Sequence, residues 1–291
     1  MVGALTRTPL AALFVPASRP DRFHTADRSS ADAIIVDLED AVAPEQKGAA
    51  RQSLATHAVA ITKPLIVRIN GPQTPWREAD LQLVAQLKPA AVMLSKTLDA
   101  HEVMNVAAQV GRDIPLIPLI ESARALSRLS QILDVPGVAL VGFGSVDFAG
   151  DLGCSEDLQA LLAVRTEIVW RSRAADRNPP LDGVSRELEQ LERVEEQARQ
   201  AANLGFGGKL AIHPAQLDCI RRAFRPADSE VQWAQRVLAA AASGAATRVD
   251  GQMVDQAVIQ RAHQLLARRR RVDTGTSVGS EATGARGQEG Q

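Results

Sequence analysis

The sequence predicts an α/β fold: an eight-stranded parallel (β/α)8 barrel of the TIM type with a C-terminal helical extension. Two observations carry that prediction. Short runs that are apolar on both faces alternate with longer stretches of helical periodicity. Most of those runs also end in a charged or polar side chain. AIIVDLED ends in Asp37, Glu39 and Asp40, LIVRIN in Arg68 and Asn70, and AVMLSK in Lys96. LIPLIES ends in Glu121, VALVGFGSVD in Asp147 and KLAIHP in His213. An unpaired charge in a core costs on the order of several kcal/mol, so such groups belong at strand ends. Many strand ends carrying them at the same side of a barrel make one shared polar site, at the C-terminal face.

The elements follow in order. Strands are placed at Ala11–Val15, Ala33–Leu38, Leu65–Ile69, Ala91–Leu94, Leu116–Ile120, Val138–Val141, Leu181–Val184 and Lys209–Ile212. The seventh, in PPLDGV, is short and turn-like. Helices are expected over Pro44–Val59, Arg77–Leu87, Ala100–Val110, Ser122–Leu133, Asp157–Arg173 and Arg186–Leu204, the last stopping at Gly205 as a C-cap. Beyond the eighth strand, FRPADSEVQWAQRVLAAAASG reads as a helix opened by Asp228 or Ser229. The turn-rich RVDGQMVD leads to a final helix near Gln256–Arg271. Its Arg268–Arg271 run reads as a solvated helix end favoured by the helix dipole. From Val272 onward there is almost nothing to bury, and disorder is expected. The division is therefore 1–224 catalytic barrel, 225–271 helical lid segment and 272–291 disordered tail.

The chain has 291 residues, 45% of them hydrophobic, and a net charge of -1; its pI is near 6.5. That size suits one α/β barrel. The charge offers no attraction to nucleic acid or an anionic membrane, which leaves small molecules as partners. No apolar stretch approaches the ~18 residues of a membrane span, and MVGALTRTPL lacks an apolar core of the secretory type. A cytoplasmic protein is expected, with Cys154 and Cys219 as reduced thiols. The absence of Tyr removes one common general acid.

Glu121 and Asp147 fall at or just beyond the ends of the adjacent fifth and sixth strands. Two neighbouring carboxylates repel unless a cation or proton lies between them. With oxygen ligands only, Mg²⁺ is the natural choice; the competing reading makes each acid a cap for its following helix. The DLED acids are either a helix entry favoured by the dipole or an outer shell that hydrogen-bonds metal-bound water. Arg68 interrupts an apolar strand, so it needs anionic partners. A substrate carboxylate would match its planar fork, and so would an internal salt bridge with Glu39 or Asp37. Lys96 stands where barrel aldolases place a Schiff-base lysine, but beside a metal site it balances charge. His213 reads as a satisfied imidazole. Arg19 and Arg22, on the Pro-pinned FVPASRPDRF loop, suit phosphate groups.

These residues sit in the ordered motifs LFVPASRPDRF, DLEDAV, VRIN, LIPLIES, GFGSVDFAGDLG, GFGGKLAIHPAQL and DGQMVDQAVIQRA. From about Leu13 to Leu266 the chain thereby resembles the citrate lyase beta-subunit-like family of CoA-ester lyases, of the HpcH/HpaI aldolase superfamily. The resemblance implies a β/α barrel with Mg²⁺ on Glu121 and Asp147. It implies that Arg68 grips the carboxylate of a 2-keto acid, and that Glu39 and Asp40 flank the metal waters. It implies a trimer or hexamer in which Asp255 reaches a neighbour's site as catalytic acid; with a CoA ester as substrate, Arg19 and Arg22 are expected to meet the CoA phosphates, and Lys96 joins the substrate- and CoA-binding candidates. Two departures stand out: VPAS where the family has VPGS, placing Ala17 in the first loop, and LSK where it has LPK, placing Ser95 after the fourth strand. The reading is a Mg²⁺-dependent lyase splitting citramalyl-CoA, malyl-CoA, citryl-CoA or a similar 3-hydroxyacyl-CoA into acetyl-CoA and a 2-keto acid. Alternatives are a citrate lyase beta subunit acting on a carrier-protein thioester, an aldolase for free hydroxy-keto acids, and a non-catalytic metabolite-binding barrel.

Overall fold

The apolar runs pair in chain order and close on themselves. In the computed structural model, which describes residues 5–242 and 248–276, the barrel strands are β1 (Ala11–Pro16), β2 (Ala33–Asp37), β3 (Leu65–Ile69), β4 (Ala91–Leu94), β5 (Leu116–Ile120), β6 (Gly142–Phe143), β7 (Leu181–Asp182) and β8 (Gly208–Ala211). All pairings are parallel, and β8 closes the barrel on β1. Alternate residues point inward and fuse into one apolar cluster that includes Ala12, Ile35, Ile66, Met93, Leu119 and Leu210. The register also decides the mouth: Asp37, the last residue of β2, lies directly opposite Arg68 on β3.

Several elements differ from the sequence expectation; the helix expected over Asp157–Arg173, for one, begins only at Leu162 and ends at Ala174. The sixth strand falls at Gly142–Phe143, beyond the predicted Val138–Val141. Val138 makes only an isolated bridge to Leu116. Ala139 N then donates to Leu116 O and Leu181 N to Val141 O, so the neighbours reach this segment singly and the regular ladder starts later. The predicted helix over Ser122–Leu133 is two short helices, Ala123–Ser127 and Leu129–Asp134, broken at Arg128, whose side chain turns to Asp99 at 3.0 Å. The helix expected from Arg186 begins only at Leu191. Gln216 Nε2 donates to the carbonyls of Ser185 and Glu187 and holds that stretch extended.

The chain divides into two compact units, Met1–Ile220 and Arg221–Gln291. The second contains the helices Asp228–Ala242 and Gln256–Thr276, which pack through Ala234, Val237, Ala262 and Leu265. Between them an antiparallel pair, Arg248–Val249 with Gln252–Met253, turns at Asp250 and Gly251. Both turn residues have positive φ (51° and 80°), the backbone that an Asp-Gly hairpin turn requires. The last helix runs to Thr276, past the expected end at Arg271, because Val272 is buried and extends its apolar stripe. The disorder expected from Val272 onward is therefore overturned for residues 272–276, which are helical; its remainder, 277–291, lies outside the described residues. Among the described residues no helix is long and apolar enough to cross a membrane.

Candidate active site at the barrel mouth

Arg68 is the centre of the β2–β3 side of the mouth. Its Nε and Nη2 donate to the two oxygens of Asp37 at 2.7 and 2.6 Å. Its Nη1 lies 3.0 Å from Glu39 Oε2 and 3.9 Å from Asp40. The guanidinium also stacks over the Phe14 ring, 4.7 Å from its centroid. Asp37 is fully saturated, since it accepts from the backbone N–H groups of Glu39 and Ala41 as well. The salt-bridge reading of Arg68 is therefore present in the structure, and it leaves the Nη1 edge as the one not committed to Asp37.

Behind this pair sits a residue that sequence reasoning missed. Lys47 is buried, and its ammonium donates to Leu38 O, Glu39 O and Asn70 Oδ1 at 2.7–2.8 Å. Asn70 in turn donates to Leu38 O and to Asp80. This network fixes the backbone on both sides of the DLED turn. A Lys in the first turn of an amphipathic helix looks like a solvated surface residue, so the sequence carried no signal for it.

On the β4–β6 side, Lys96 Nζ lies 2.6 Å from Asp147 Oδ1 and 4.0 Å from Glu121 Oε2. Its backbone N–H donates to Glu121 Oε2 at 2.5 Å, and its φ of 51° is uncommon for a residue with a side chain. Gly144, at the end of β6, makes room for this arrangement: a Cβ there would meet Glu121 Cγ at 2.3 Å. Lys96 thus balances the two acids, and its amine is engaged with them. Burial lowers its pKa, but Glu121 and the hydrogen bond to Asp147 outweigh that and leave it raised.

Counted together, five carboxylates (Asp37, Glu39, Asp40, Glu121 and Asp147) surround Arg68 and Lys96, with the Lys47 ammonium behind them on backbone carbonyls and Asn70, a formal excess of two negative charges. Burial dominates the titration of Glu39 and Glu121. Burial, opposed by Arg68 and reinforced by Glu121 and Asp40, pushes Glu39 up to about 7. Burial likewise raises Glu121, against the pull of Lys96. Glu39 Oε2 is a buried oxygen without a hydrogen bond. Glu121 and Asp147, already bridged by an ammonium, are hard oxygen donors suited to a divalent cation of small radius. Among the described residues no three His, Cys, Asp or Glu side chains converge on one point. A cation here would therefore keep most of its positions for water or substrate oxygens.

The remaining predicted site residues lie in other settings. Arg19 pairs with Asp21 at 2.6 Å on the exposed loop after β1, and Arg22 is also exposed. His213 Nδ1 accepts from Ala215 N as a helix cap, at an exposed position. Asp255 belongs to the C-terminal unit, where it accepts from Val258 N at 2.9 Å at the start of the last helix. Of the two departures, Ala17 is buried, with its N–H donating to Asp37 O. The Ser95 hydroxyl donates to the Ile69 carbonyl, a contact that Pro could not make.

A citrate lyase subunit beta-like protein of Mycobacterium tuberculosis is 36% identical over 264 residues, covering 88% of this chain and 94% of that protein. A (3S)-malyl-CoA thioesterase of Cereibacter sphaeroides is 34% identical, covering 88% and 93%. The crystal structure of protein CitE from Mycobacterium tuberculosis in complex with magnesium, acetoacetate and coenzyme A matches with a TM-score of 0.81 at 34% identity, over 91% of this chain and 99% of that one. The model for HpcH/HpaI aldolase/citrate lyase matches residues 10–214, the stretch that builds the whole barrel and its acid-rich mouth, and the chain belongs to that lyase family.

Proposed function

We propose that the protein is a Mg²⁺-dependent carbon–carbon lyase that splits a short 3-hydroxyacyl-CoA into acetyl-CoA, or a close analogue, and a 2-keto acid. The observation that carries this reading is the Glu121–Lys96–Asp147 bridge beside Arg68 and Glu39. A divalent cation on Glu121 and Asp147 would supply Lewis-acid polarisation of the substrate's hydroxyl and carboxylate oxygens. Arg68, held by Asp37 and Phe14, orients the keto-acid carboxylate through its Nη1 edge. Glu39, pushed up to about 7, is matched to take the substrate's hydroxyl proton at Oε2 near neutral pH. As that proton leaves, the C–C bond breaks, the hydroxyl carbon becomes the keto carbonyl, and the bond's electron pair moves into the thioester enolate. Asp255 of a neighbouring copy, in a trimer or hexamer, protonates the enolate carbon; condensation reverses each step. Arg19 and Arg22 meet the CoA phosphates. The setting is cytoplasmic, which suits Cys154 and Cys219, neither of which is in a disulfide.

Support for CoA as the acyl carrier comes from the CitE structure that contains it. A second reading, thioester hydrolysis, is favoured by the likeness to (3S)-malyl-CoA thioesterase. One experiment separates the two. Purified protein is incubated with malyl-CoA, citramalyl-CoA and citryl-CoA, with and without Mg²⁺, and the products are resolved. The lyase reading expects a keto acid and acetyl-CoA in equal amounts, only with metal. Free CoA with intact hydroxy acid would replace it with hydrolysis.

A further inference from the structure

A second cavity, of about 200 Å³, opens between β6–β8 and the helices Leu162–Ala174 and Leu191–Leu204. Arg68, Lys96, Glu121 and Asp147 do not line it. At its floor the Asp182 carboxylate faces two cations. Lys209 Nζ lies 2.7 Å from Oδ2 and also donates to Gly183 O. Arg165 donates from Nε to Oδ1 at 3.1 Å. All three side chains are at most 3% exposed. One carboxylate for two buried cations leaves the floor short of negative charge. Burial and the Arg165 charge both lower the Lys209 pKa, opposed by Asp182.

The shortage has an address. Arg165 Nη2 lies 3.1 Å from Asp182 Oδ2 yet makes no hydrogen bond, although it is buried. The guanidinium is held in place beside the cavity, stacked over Phe206 at 5.5 Å, with Nη2 ion-paired to Asp182 but not hydrogen-bonded. The Ser145 hydroxyl and the Gln197 amide line the same cavity and make no hydrogen bond among the described residues. Gly183 allows Ser145 to reach in, since a Cβ there would meet its Oγ at 2.2 Å. The other acids on the lining are matched: Glu156 to Arg186 at 2.7 Å and Glu187 to Arg193 at 3.7 Å. Spare donors, a surplus cation and a volume below the ~300 Å³ of drug-sized sites select a small acceptor-rich anion.

We propose that this cavity is a binding site for a small oxyanion, a carboxylate or phosphate group, whose oxygens accept from Arg165 Nη2 and the Ser145 hydroxyl. The test is calorimetric titration of the full chain at fixed ionic strength, with inorganic phosphate in one arm and malonate in the other. Saturable binding of either is expected, and the arm that binds identifies the source. Binding is expected to persist in Arg68→Ala, where the mouth is disabled. It should weaken about tenfold in Arg165→Lys, and several-fold in Ser145→Ala and Gln197→Leu, which leave the buried ion cluster intact and keep the proposal testable if Arg165→Lys does not fold. No saturable binding in either arm, or binding lost in Arg68→Ala, or binding unchanged in both Ser145→Ala and Gln197→Leu, overturns it.

Discussion

Lys96 holds its ammonium 2.6 Å from Asp147 and its backbone N–H against Glu121, so one residue ties the acid just beyond β5 to the acid in the first turn of the helix that follows β6. An ammonium and a divalent cation compete for those oxygens. Lys96→Met should therefore bind Mg²⁺ more tightly than wild type, while its metal-free form loses on the order of 1 kcal/mol, discounted for a partly solvated side chain. Urea unfolding in EDTA and in saturating Mg²⁺ reads both effects. A stability difference that is the same in the two conditions would remove Lys96 from the metal's electrostatics.

Glu121→Ala and Asp147→Ala are each expected to abolish turnover and leave the barrel folded by circular dichroism, because each removes an oxygen donor from a hard cation. Wild-type turnover in EDTA-treated protein would sink the metal reading.

Arg68→Lys keeps the charge but loses the two-point grip on Asp37. It should lose about 1–3 kcal/mol of stability, since a buried carboxylate loses hydrogen bonds. If Arg68 also orients substrate, the KM for the keto acid in condensation rises at least tenfold. Unchanged kinetics beside lowered stability would confine Arg68 to the salt bridge.

Glu39 makes stability depend on pH in a defined direction. Its folded pKa, about 7, is above the ordinary 4.5. The folded state therefore holds the proton more tightly than the unfolded chain. The resulting stability is complete below pH 4.5 and is lost as pH rises through 7, amounting to about 3 kcal/mol at most. Glu121, raised in the same direction, adds to the slope. In metal-free protein, urea midpoints should fall across this window, and Glu39→Gln should flatten the fall. An equally steep fall in Glu39→Gln would assign the proton elsewhere.

Asp255→Ala removes a helix cap, and that alone costs about 0.5–2 kcal/mol. The catalytic reading adds a large loss of C–C cleavage that re-stabilising the helix elsewhere does not restore. If the acid crosses between copies, inactive Asp255→Ala and inactive Glu121→Ala chains regain activity when co-assembled. Mixed oligomers that stay inactive would rule the crossing out.

How far the sequence could be read depended on how each feature leaves its mark. β3, β4 and β5 fall where their apolar runs predict, because a strand buried on both faces has to be apolar throughout. β6 did not, since its ladder begins at a glycine, which carries no apolar signal. The mouth was legible as charges at strand ends. What joins them was not: that Asp37 holds Arg68 follows from strand register, and that Lys47 braces the DLED turn follows from a helix folding back onto β2. Neither relation is written in local spacing.

The surplus of acids around the mouth has a kinetic consequence. On the proposed reading both substrates are anions, and where pH is high enough to ionise Glu39 and Glu121 they approach, before any cation arrives, a mouth of their own sign. Repulsion of this kind slows encounter and is relieved by salt within a Debye length of ~8–10 Å. Metal would then arrive first and acid second, and the on-rate for a keto acid to metal-free protein would rise with ionic strength while that to metal-loaded protein would not.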